Sequence, residues 1–493
     1  MNDQALIDIA RNLVGTGRGL LAIDESTTTC DKRNWPATAN TICLFDCGCP
    51  PHNHGATVSN VREGIRALAY RSARVASVRE RTDSADLARA YWAPMVTPTE
   101  DAVQKPKRES HVLALNSGSS SLKFGLYRVS AANTLRVIVG EAEAIGKNKS
   151  AFHAKDAQAR TLLQEQIPIP GQLEAVKLIA NLLMERKLPV PESIGHRIVH
   201  GGAQLKEHCR INESVLRQLE TAAVFAPLHM PAALSVIRLA ESHFPGVQQV
   251  ACFDTSFHAH MPLIARTLPI PRALRAEGVQ RYGFHGLSCE SIVRQLTGSI
   301  PGRLIIAHLG NGASVTAVKD GASIDTSMGL TPTGGIIMGT RSGDLDPGVL
   351  VYLSREKTLD VTRLEELVDQ RSGLLGISGL SADMRDLQGA EGGDPDARLA
   401  IDMFCYSASK QVAAMSAVLG GVESLVFTGG IGENDPQVRA TICGRLASIG
   451  LLLDPGRNRV TGDPISDSSS RCQVRVLPSQ EDEQIARETW LLC

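Results

Sequence analysis

The chain has 493 residues, which at about 150 residues per domain predicts two to four domains. Apolar residues make up 43% of it and charged residues 21%, so intrinsic disorder as the main state is excluded. The 51 basic and 52 acidic side chains give a net charge of -1, and 4% of the residues are aromatic. The neutral charge balance argues against nucleic acid or an anionic membrane as the principal partner, and the low aromatic content disfavours a base-stacking surface.

The beginning of the chain lacks the pattern of a secretion signal. In MNDQALIDIARNLV no basic segment precedes the apolar positions, and Asp3 and Asp8 interrupt them. No apolar run reaches the ~18 residues that a membrane span needs. The eleven cysteines are irregularly spaced, which favours reduced thiols. We therefore expect a cytoplasmic protein that has no membrane partner.

The first 110 residues form a heterogeneous segment. Apolar positions at helical spacing predict a helix over 5–14, which Gly15 would end, and the strand GLLAI follows at 19–23. A second amphipathic helix is predicted over 58–81. It could bind a membrane surface or an acidic partner, but we favour a solvated helix face because nearby acids dilute its charge. Residues 94–110, with three prolines and dense charge, are interpreted as a linker.

A cluster of potential metal ligands lies within the same segment, in CLFDCGCPPHNH. The cluster consists of Cys43, Cys47, Cys49, His52 and His54. Zinc prefers such ligands, but the spacing C-x3-C-x-C matches no paired C-x2-C knuckle. We favour a reduced, irregular loop over a metal site.

From residue 111 onward the sequence is typical of one continuous α/β protein. Apolar runs such as HVLALN, LIIAHLG and SLVFTGG predict strands, which alternate with helical stretches such as the one around 232–241. The pattern of strand, glycine turn and strand occurs at 111–129 and again at 303–318. We interpret the repeated hairpin as the start of two duplicated subdomains that face each other across a cleft.

Three glycine-containing turns could bind phosphate. Residues 116–123 (NSGSSSLK) combine hydroxyls, backbone N–H groups and one lysine, which suits an anion as well as a polar surface turn. HLGNG at 308–312 and GGIGEN at 429–434 each follow an apolar strand, where glycines permit close approach of the backbone to a phosphate or a nucleobase. Each could be an ordinary turn, but three in one chain favour nucleotide binding.

Histidines, arginines and acids are concentrated in short motifs between these strands. Such side chains need partners when they are buried. Two arginines, a histidine and an acid suit the transfer of a phosphoryl group, whose equatorial oxygens require positive charge. The alternative is an ion-pair network between two domains. The residues are His196, Arg197, His200, His229, Asp254, His285, Arg341, Asp344, Asp346, Glu481, Asp482 and Glu483.

Together these motifs resemble the acetate kinase family over residues 111–493. The shared motifs follow the family's order: LNSGSSSLKF, GHRIVHGG, APLHMP, FDTSFH, RYGFHG, HLGNG, TRSGDLDPG, SGLSADMRDL and VFTGGIGEN. The resemblance implies two ribonuclease-H-like α/β domains of the acetate and sugar kinase, Hsp70 and actin superfamily, with the active site in the cleft between them. The implied domains are 111–255 together with 482–493, and 256–481.

The resemblance also implies a role for each motif residue. Asp254 would be the catalytic acid, while His285 and Arg341 would stabilise the transferring phosphoryl group. Asn116 and Glu481 would hold Mg²⁺, or Mn²⁺ in its place, and an acid one or two places along could serve. Arg197 would bind the carboxylate, and the methyl pocket would comprise Val199, Leu228, Phe284 and Pro332. The ATP site would comprise Ser119, Ser121, Lys123, His308, Leu309, Gly310, Asn311, Gly312, Asp383, Met384, Arg385, Gly430, Ile431, Gly432, Glu433 and Asn434.

The chain departs from the family pattern at several positions, none of which removes an assigned catalytic group. The departures are Ser117 for a common cysteine, Met230 for asparagine, Leu287 and Cys289 for threonine and histidine, and Thr333-Gly334 for Leu-Glu.

Residues 1–33 resemble a different family, the class I fructose-bisphosphate aldolases, in LVGTGRGLLAIDEST and DKR. The likeness covers one helix and one strand of an eight-stranded barrel, without the Schiff-base lysine segment, so we do not expect aldolase activity. Residues 34–110 match no pattern. We interpret the first 110 residues as a non-homologous extension, a fusion remnant or a gene-start artefact that contributes no chemistry.

The favoured function is reversible, Mg²⁺-dependent transfer of the γ-phosphoryl group of ATP to acetate, giving acetyl phosphate and ADP, in an expected homodimer. Propionate kinase is the near alternative, because one methylene is worth only ~1–3 kcal/mol of discrimination. A non-catalytic ATP-binding switch of the same superfamily would not need Arg197, His285 and Arg341. A kinase inhibited by its own N-terminal extension is a third alternative, since the first kinase strand begins at His111.

Overall fold

The computed structural model describes residues 108–118, 120–147, 149–227 and 229–493, which belong to one unit of the chain, Gln104–Cys493. The predicted helices at 5–14 and 58–81, the strand at 19–23, the aldolase-like segment, the cysteine–histidine cluster and most of the linker lie outside the described residues. The site candidates Ser119 and Leu228 lie outside them as well.

The first sheet has eight strands and begins with the hairpin predicted at 111–129. Its strands are β1 (Ser110–Ser117), β2 (Leu122–Val129), β3 (Thr134–Glu143), β4 (Ala151–Asp156), β5 (Thr161–Gln166), β6 (Ser193–Ile198), β7 (Cys209–Arg210) and β8 (Gln248–Phe253). They lie in the order β5-β4-β3-β2-β1-β6-β8-β7. β1 pairs antiparallel with β2 and parallel with β6, which in turn pairs parallel with β8.

The second sheet repeats this arrangement with five strands. They are β9 (Arg303–Leu309), β10 (Ala313–Lys319), β11 (Ala322–Thr326), β12 (Ser424–Thr428) and β13 (Gln473–Val476), in the order β11-β10-β9-β12-β13. β9 pairs antiparallel with β10 and parallel with β12, as β1 does with β2 and β6. The order thus matches β3-β2-β1-β6-β8, which confirms the duplicated α/β architecture predicted from the two hairpins.

Helices connect the strands and cover the sheets. They are α1 (Gln172–Glu185), α2 (Glu213–Ala222), α3 (Met230–His243), α4 (Leu263–Arg266), α5 (Arg272–Ala276), α6 (Gly286–Gln295), α7 (Pro347–Glu356), α8 (Val361–Gln370), α9 (Gly373–Ser378), α10 (Met384–Ala390), α11 (Pro395–Leu419), α12 (Gly429–Asn434), α13 (Pro436–Gly444), α14 (Pro455–Val460) and α15 (Glu481–Leu492). Within the described residues, short 3-10 turns cover Ala223–Phe225, Ser256–His258 and Ala447–Ile449. In the described part of the chain, no helix combines the length and the apolar composition of a membrane span.

The strand β1 is buried on both faces, as its continuous apolar run predicts. Leu113 and Leu115 belong to the hydrophobic cluster that contains the apolar face of α1. Val112 and Ala114 point to the opposite face and pack in the cluster that contains Ile485 of α15. Side chains alternate along a strand, so one strand joins both layers of the domain.

The helix α15 packs directly on β6 at Gly195. A Cβ atom at this position would lie 2.1 Å from Oγ1 of Thr489, so a larger residue cannot be accommodated without displacing the helix. This close approach fixes the start of α15, and with it Glu481, beside the end of β1.

The site candidates lie where parallel strands end. Asn116 is at the end of β1, Arg197 is at the end of β6, and Asp254 follows β8. In the second sheet, His308 is near the end of β9 and Gly429 follows β12. Carboxyl ends of parallel strands share one edge of a sheet, which is where α/β proteins bind ligands.

Candidate active site

Arg197 and Asp254 form the centre of the site, at the ends of two neighbouring parallel strands. Nε of Arg197 donates to both carboxylate oxygens of Asp254 at 3.1 Å, and Nη2 donates to Oδ2 at 2.6 Å. Nη1 donates to Oδ1 of Asn116 at 3.1 Å. A guanidinium has five N–H donors. Three are therefore engaged, and one on each Nη has no hydrogen-bond partner among the described residues.

The buried charges at this centre compensate one another incompletely. Burial raises the pKa of Asp254, whose side chain is 2% exposed, although Arg197 acts in the opposite direction. Burial would lower the pKa of Arg197, but Asp254 and Glu481 raise it. Burial also opposes the charge on Glu481, yet Arg197 and His308 outweigh it and lower the pKa of this carboxyl. Arg197 and Glu481 are therefore ionised at neutral pH.

Two acids in the first turn of α15 contact the Asn116 amide. Nδ2 of Asn116 donates to Oδ1 of Asp482 at 2.9 Å and to Oε2 of Glu481 at 3.4 Å. Burial, with Glu481 adding to it, raises the pKa of Asp482. Oxygen ligands with at least one ionised carboxylate suit Mg²⁺ or Mn²⁺. The side chains present at this position therefore fit a hard divalent cation.

His285 is held in an unusual conformation at the start of α6. Its backbone is left-handed, with φ 57° and ψ 27°, which costs roughly 1–2 kcal/mol for a residue other than glycine. Its Nδ1 lies 2.9 Å from Oγ of Ser314, and its ring stacks on His308 with centroids 4.2 Å apart. Burial, then His308 and Arg197, lower the pKa of His285 well below its ordinary value. The ring is neutral, and Nε2 can donate a hydrogen bond when Nδ1 accepts from Ser314.

Arg341 lies beside His285, with Gly312 between them. A Cβ atom on Gly312 would be 3.2 Å from Nε2 of His285 and 3.4 Å from Nη1 of Arg341. Nη1 donates to the carbonyl of Pro332 at 3.2 Å, and Nη2 lies 3.3 Å from Nε2 of His229. None of the hydrogen bonds recorded for Arg341 in the described chain involves a carboxylate.

The hydrogen-bond partners of Arg341 carry no negative charge. Burial lowers the pKa of the guanidinium, and the charge of Asp369 partly opposes this effect. Burial, followed by the charges of Arg341 and Arg197, lowers the pKa of His229 to about 4. The neutral imidazole of His229 therefore accepts from Arg341 and adds no counter-charge. A partly buried cation between neutral groups is suited to bind an anion.

A cleft of about 730 Å³ borders the second sheet beyond these residues. This volume lies in the usual range for small-molecule sites. Eight of the predicted ATP residues line it together: Gly310, Asn311, Asp383, Met384, Arg385, Gly430, Ile431 and Asn434. The remaining lining residues were not predicted: Ala382, Gln388, Asp435, Pro436 and Gln437.

Three other predicted ATP residues belong to the structure around the cleft and not to its lining. Leu309 is fully buried in the core, and Gly432 packs against the carbonyl of Ala307. Oε1 of Glu433 accepts from the backbone N–H groups of Gly429 and Ser479, each at 3.0 Å. None of the three is among the lining residues of the cleft.

Lys123 and Ser121 lie on the first sheet. Lys123 is exposed and stands opposite Asn116 in the β1–β2 register, and its charge helps to lower the pKa of Glu481. The hydroxyl of Ser121 is hydrogen-bonded to Glu141 on β3.

The predicted methyl pocket is apolar where the structure describes it. Val199 and Phe284 are buried in one hydrophobic cluster, and the ring of His200 lies 5.6 Å from that of Phe284. Pro332 adjoins Arg341 through its carbonyl. Pro332 thus brings one residue of the predicted pocket into contact with the guanidinium.

Several ionisable residues of the motifs have structural roles. Nε2 of His196 lies 2.6 Å from Oε1 of Gln249, and burial lowers the pKa of this histidine to about 4. Asp344 accepts from the backbone of Gly335, and Asp346 caps α7.

The departures from the family pattern also pack away from the centre. Leu287 and Met230 are fully buried in hydrophobic clusters. The Cys289 thiol donates to Oγ1 of Thr316 at 3.8 Å, and the hydroxyl of Thr333 donates to Asp369.

Two hydroxyls that orient the histidines were missed in the sequence. Ser314 contacts Nδ1 of His285, and Oγ of Ser288 lies 2.8 Å from Nδ1 of His308. Ser288 is fully buried on α6, and Ser314 lies within the buried strand β10. Ser288 follows the His285 motif closely in the sequence, which is a local signal, whereas Ser314 lies 29 positions from its partner and gave none.

Comparison with known proteins identifies the family of this chain. The family model of the acetokinase family matches residues 111–487. An acetate kinase of Methylocella silvestris is 40% identical over 398 residues, which are 77% of this chain and 97% of that protein. An acetate kinase of Caldanaerobacter subterraneus subsp. tengcongensis is 39% identical over 395 residues, covering 77% of this chain and 98% of that protein.

Solved structures show the same likeness. A propionate kinase of Francisella tularensis subsp. tularensis superposes with a TM-score of 0.73 at 36% identity, covering 78% of this chain and 100% of that one. An acetate kinase of Porphyromonas gingivalis gives a TM-score of 0.69 at 35% identity, covering 78% and 99%. The matches confirm the predicted two-sheet kinase fold and the resemblance stated for the part of the chain after residue 110. This chain belongs to the acetokinase family.

Proposed function

We propose that this chain transfers the γ-phosphoryl group of ATP reversibly to acetate, giving acetyl phosphate and ADP. The observation that carries the proposal is the guanidinium of Arg341, which has no hydrogen bond to a carboxylate among the described residues. It lies close to the neutral imidazole of His285 beside Gly312, in the segment 308–312 that also contributes Gly310 and Asn311 to the cleft. A phosphoryl group between a nucleotide and a small carboxylate needs such a cation.

In the forward reaction a carboxylate oxygen of acetate attacks the γ-phosphorus, and the bond to the β–γ bridging oxygen breaks to release ADP. Arg197 would bind the acetate carboxylate through its two remaining Nη donors, a bidentate geometry typical of arginine. Asp254 holds the guanidinium in place through Nε and Nη2. The resemblance makes Asp254 the catalytic acid, and its raised pKa is compatible with holding a proton.

Arg341 and His285 would act on the transferring group. Arg341 supplies positive charge to the equatorial oxygens, where negative charge develops in the transition state. His285 donates from Nε2 as a neutral imidazole, because Ser314 occupies Nδ1 and the pKa of the ring is lowered. Neither group needs to gain or lose a proton during transfer.

Asn116 and Glu481 would hold Mg²⁺, or Mn²⁺, and Asp482 is placed to join them. When bound, the ion neutralises charge on the β- and γ-phosphate oxygens. The raised pKa of Asp482 and the lowered pKa of Glu481 favour Glu481 as the anionic ligand of the pair.

The acceptor pocket supports acetate over a larger acid. Val199 and Phe284 are buried in one hydrophobic cluster and would supply the apolar wall for one methyl group. Propionate is a second candidate, favoured by the structural likeness to a propionate kinase. The difference of one methylene sets the discrimination at ~1–3 kcal/mol.

The domain division and the assembly are also proposals. We propose domains 111–255 with 482–493, and 256–481, which the repeated strand order and the packing of α15 on the first sheet support. We propose a homodimer, because α7 and α8 bury none of their residues and expose apolar side chains such as Val351 and Val361. The buried free thiols Cys252, Cys289 and Cys405 support a cytoplasmic location.

An acyl phosphate trapping assay tests the function. The chain is incubated with ATP and Mg²⁺ plus acetate, propionate or a hexose, and hydroxamate and ADP are both measured. We expect hydroxamate with acetate, less with propionate and none with the sugar. ADP formation that is independent of the acid would favour the ATP-binding switch and would refute the proposal.

A further inference from the structure

His208 belongs to none of the groups assigned above, yet it holds the residue that precedes Asp254. The short strand β7 pairs with β8 through Cys209 opposite Ala251 and Arg210 opposite Val250. At the end of this ladder, Nδ1 of His208 accepts the backbone N–H of Phe253 at 3.0 Å. A side chain thus replaces the next backbone acceptor of the ladder.

The other ring nitrogen of His208 contacts a different element. Nε2 lies 3.1 Å from Oε2 of Glu290, and the two side chains are 9% and 17% exposed. Glu290 belongs to α6, which begins directly after His285. The backbone N–H of Gly286 also donates to the carbonyl of Asp254 at 2.8 Å. The end of β8, which carries Asp254, and the helix α6, which follows His285, are therefore joined twice. One link is the direct backbone hydrogen bond, and the other runs through His208 and Glu290.

The hydrogen bonds determine the tautomer of His208. Nδ1 accepts from an amide, so the ring proton lies on Nε2 and points to Glu290. Burial lowers the pKa of the imidazole, and Glu290 and Glu488 more than offset this effect. A second proton on Nδ1 would nevertheless face the Phe253 N–H, which keeps the ring neutral while that bond is made. The arrangement resembles a metal-bound or catalytic histidine whose carboxylate neighbour fixes its orientation.

We propose that His208 and Glu290 form a positioning pair for phosphoryl transfer, in which Glu290 orients the imidazole and the imidazole fixes the backbone that carries Asp254. Asp254 in turn fixes Arg197, so the pair sets the distance between the bound carboxylate and the group held by His285 and Arg341. The inference rests on the proposed function. It predicts an effect on kcat, because a displacement of about 1 Å at reacting groups can cost about 10²-fold in rate.

Isosteric substitutions separate the two hydrogen bonds of the ring. His208→Asn places an oxygen near the position of Nδ1 and can still accept from Phe253. His208→Gln places its amide near Nε2, reaches Glu290, and leaves the Phe253 N–H without an acceptor. Glu290→Gln retains an acceptor for Nε2, whereas Glu290→Ala removes it.

The control is a second histidine–glutamate pair in the same region. His260 and Glu207 approach to 3.6 Å on the surface, where they are 78% and 80% exposed. The variants His260→Asn and Glu207→Ala make the same chemical changes without reaching the site. Each full-length protein is assayed for kcat and for KM of ATP and acetate, and its thermal midpoint and MgADP affinity are measured.

We expect His208→Gln to lower kcat at least tenfold with KM for ATP unchanged, and His208→Asn to stay within about threefold of wild type. Glu290→Gln should also stay within about threefold, Glu290→Ala should lose about fivefold or more, and both controls should equal wild type. Failure of His208→Gln to bind MgADP would indicate a folding defect in that variant. The test of the proposal is then the kcat of Glu290→Ala, which keeps the acceptor for the Phe253 N–H.

Equal activity of His208→Asn and His208→Gln would overturn the proposal, as would losses confined to the thermal midpoint or to KM for ATP. In either case acetate-dependent turnover of the wild type would leave the proposed function standing. A wild-type chain without acetate-dependent turnover would overturn both.

Discussion

Replacing Arg341 by alanine removes the cation that the proposed mechanism places on the transferring phosphoryl group. The guanidinium donates to the Pro332 carbonyl and faces His229, a neutral group. No described carboxylate forms a hydrogen bond with it, and Asp369 acts on it only through its charge, so its N–H donors are available to a substrate anion. An arginine that acts on such a transition state contributes about 10³-fold or more to kcat, which corresponds to roughly 4 kcal/mol.

The same contacts predict a small effect on stability. Arg341 forms no hydrogen-bonded ion pair in the described chain, and breaking such a buried pair is the usual cause of large losses of stability. We therefore expect Arg341→Ala to lower kcat by about 10³ or more, to change both KM values less, and to shift the thermal midpoint by only a few degrees. Arg341→Lys should restore part of kcat, because a lysine supplies the charge without the planar fork.

Steady-state kinetics with acetate and ATP, together with calorimetry, measure these quantities. Arg303→Ala is the matched control: Arg303 pairs with Glu423 at 3.0 Å on the surface, at the opposite end of β9 from His308. An Arg341→Ala enzyme within a few-fold of wild type would refute the assignment. A large fall in the thermal midpoint would show instead that the side chain is structural.

Further expectations concern selectivity, pH, the nucleotide cleft and the N-terminal extension. Val199→Ala should move kcat/KM toward propionate by up to ~1–3 kcal/mol, and an unchanged acetate-to-propionate ratio would exclude this residue from the methyl pocket. Burial lowers the pKa of four histidines, among them His196, to about 4 in the folded chain. As the pH falls, the unfolded chain therefore binds protons at these histidines before the folded chain does. Their contribution to stability should be constant above pH 6.5 and fall by about 1.4 kcal/mol per histidine and pH unit between 6.5 and about 4. His196→Gln, which keeps a donor to its partner, should reduce that slope by one proton in acid titrations. Arg439 is fully buried and donates to the carbonyls of Gly432 and Glu433 near the end of α12, the helix that lines the proposed nucleotide cleft. Arg439→Met should therefore raise KM for ATP several-fold and leave KM for acetate unchanged. A chain starting at residue 104 keeps the Arg108 carbonyl that accepts the indole N–H of α15. It should match full-length kcat, and loss of most activity would contradict the view that the extension contributes no chemistry.

The local pattern of the sequence was sufficient to predict the strands that carry the site. β1, β9 and β12 are continuous apolar runs that end at glycine- or serine-rich turns, and such runs form buried strands in most contexts. The two hairpins at 111–129 and 303–318 likewise predict the duplicated sheets, because the pairing of adjacent strands is a local property. The motif residues lie at the ends of these strands, so the pairing of the strands brings them to one edge of each sheet.

The direction and partner of each side chain depended on contacts between distant parts of the chain. Glu433 lies within the GGIGEN motif, yet its carboxylate turns back to the N–H groups of Gly429 and Ser479 instead of lining the cleft. His308 likewise stacks on His285. Nothing in either motif specifies these orientations, because they are set by the packing of α6 and of the segment before α15.

The chemical state of the site was also decided by tertiary structure. Arg341 meets His229, 112 positions away, and Arg197 meets Asp254, 57 positions away. The sequence by itself determined which residue types are present and the strands that carry them. Only the folded chain determined that Asp254 engages one edge of Arg197, while Arg341 has no hydrogen bond to a described carboxylate. Burial and the positions of neighbouring charges, which arise from the packing of both sheets, control these differences.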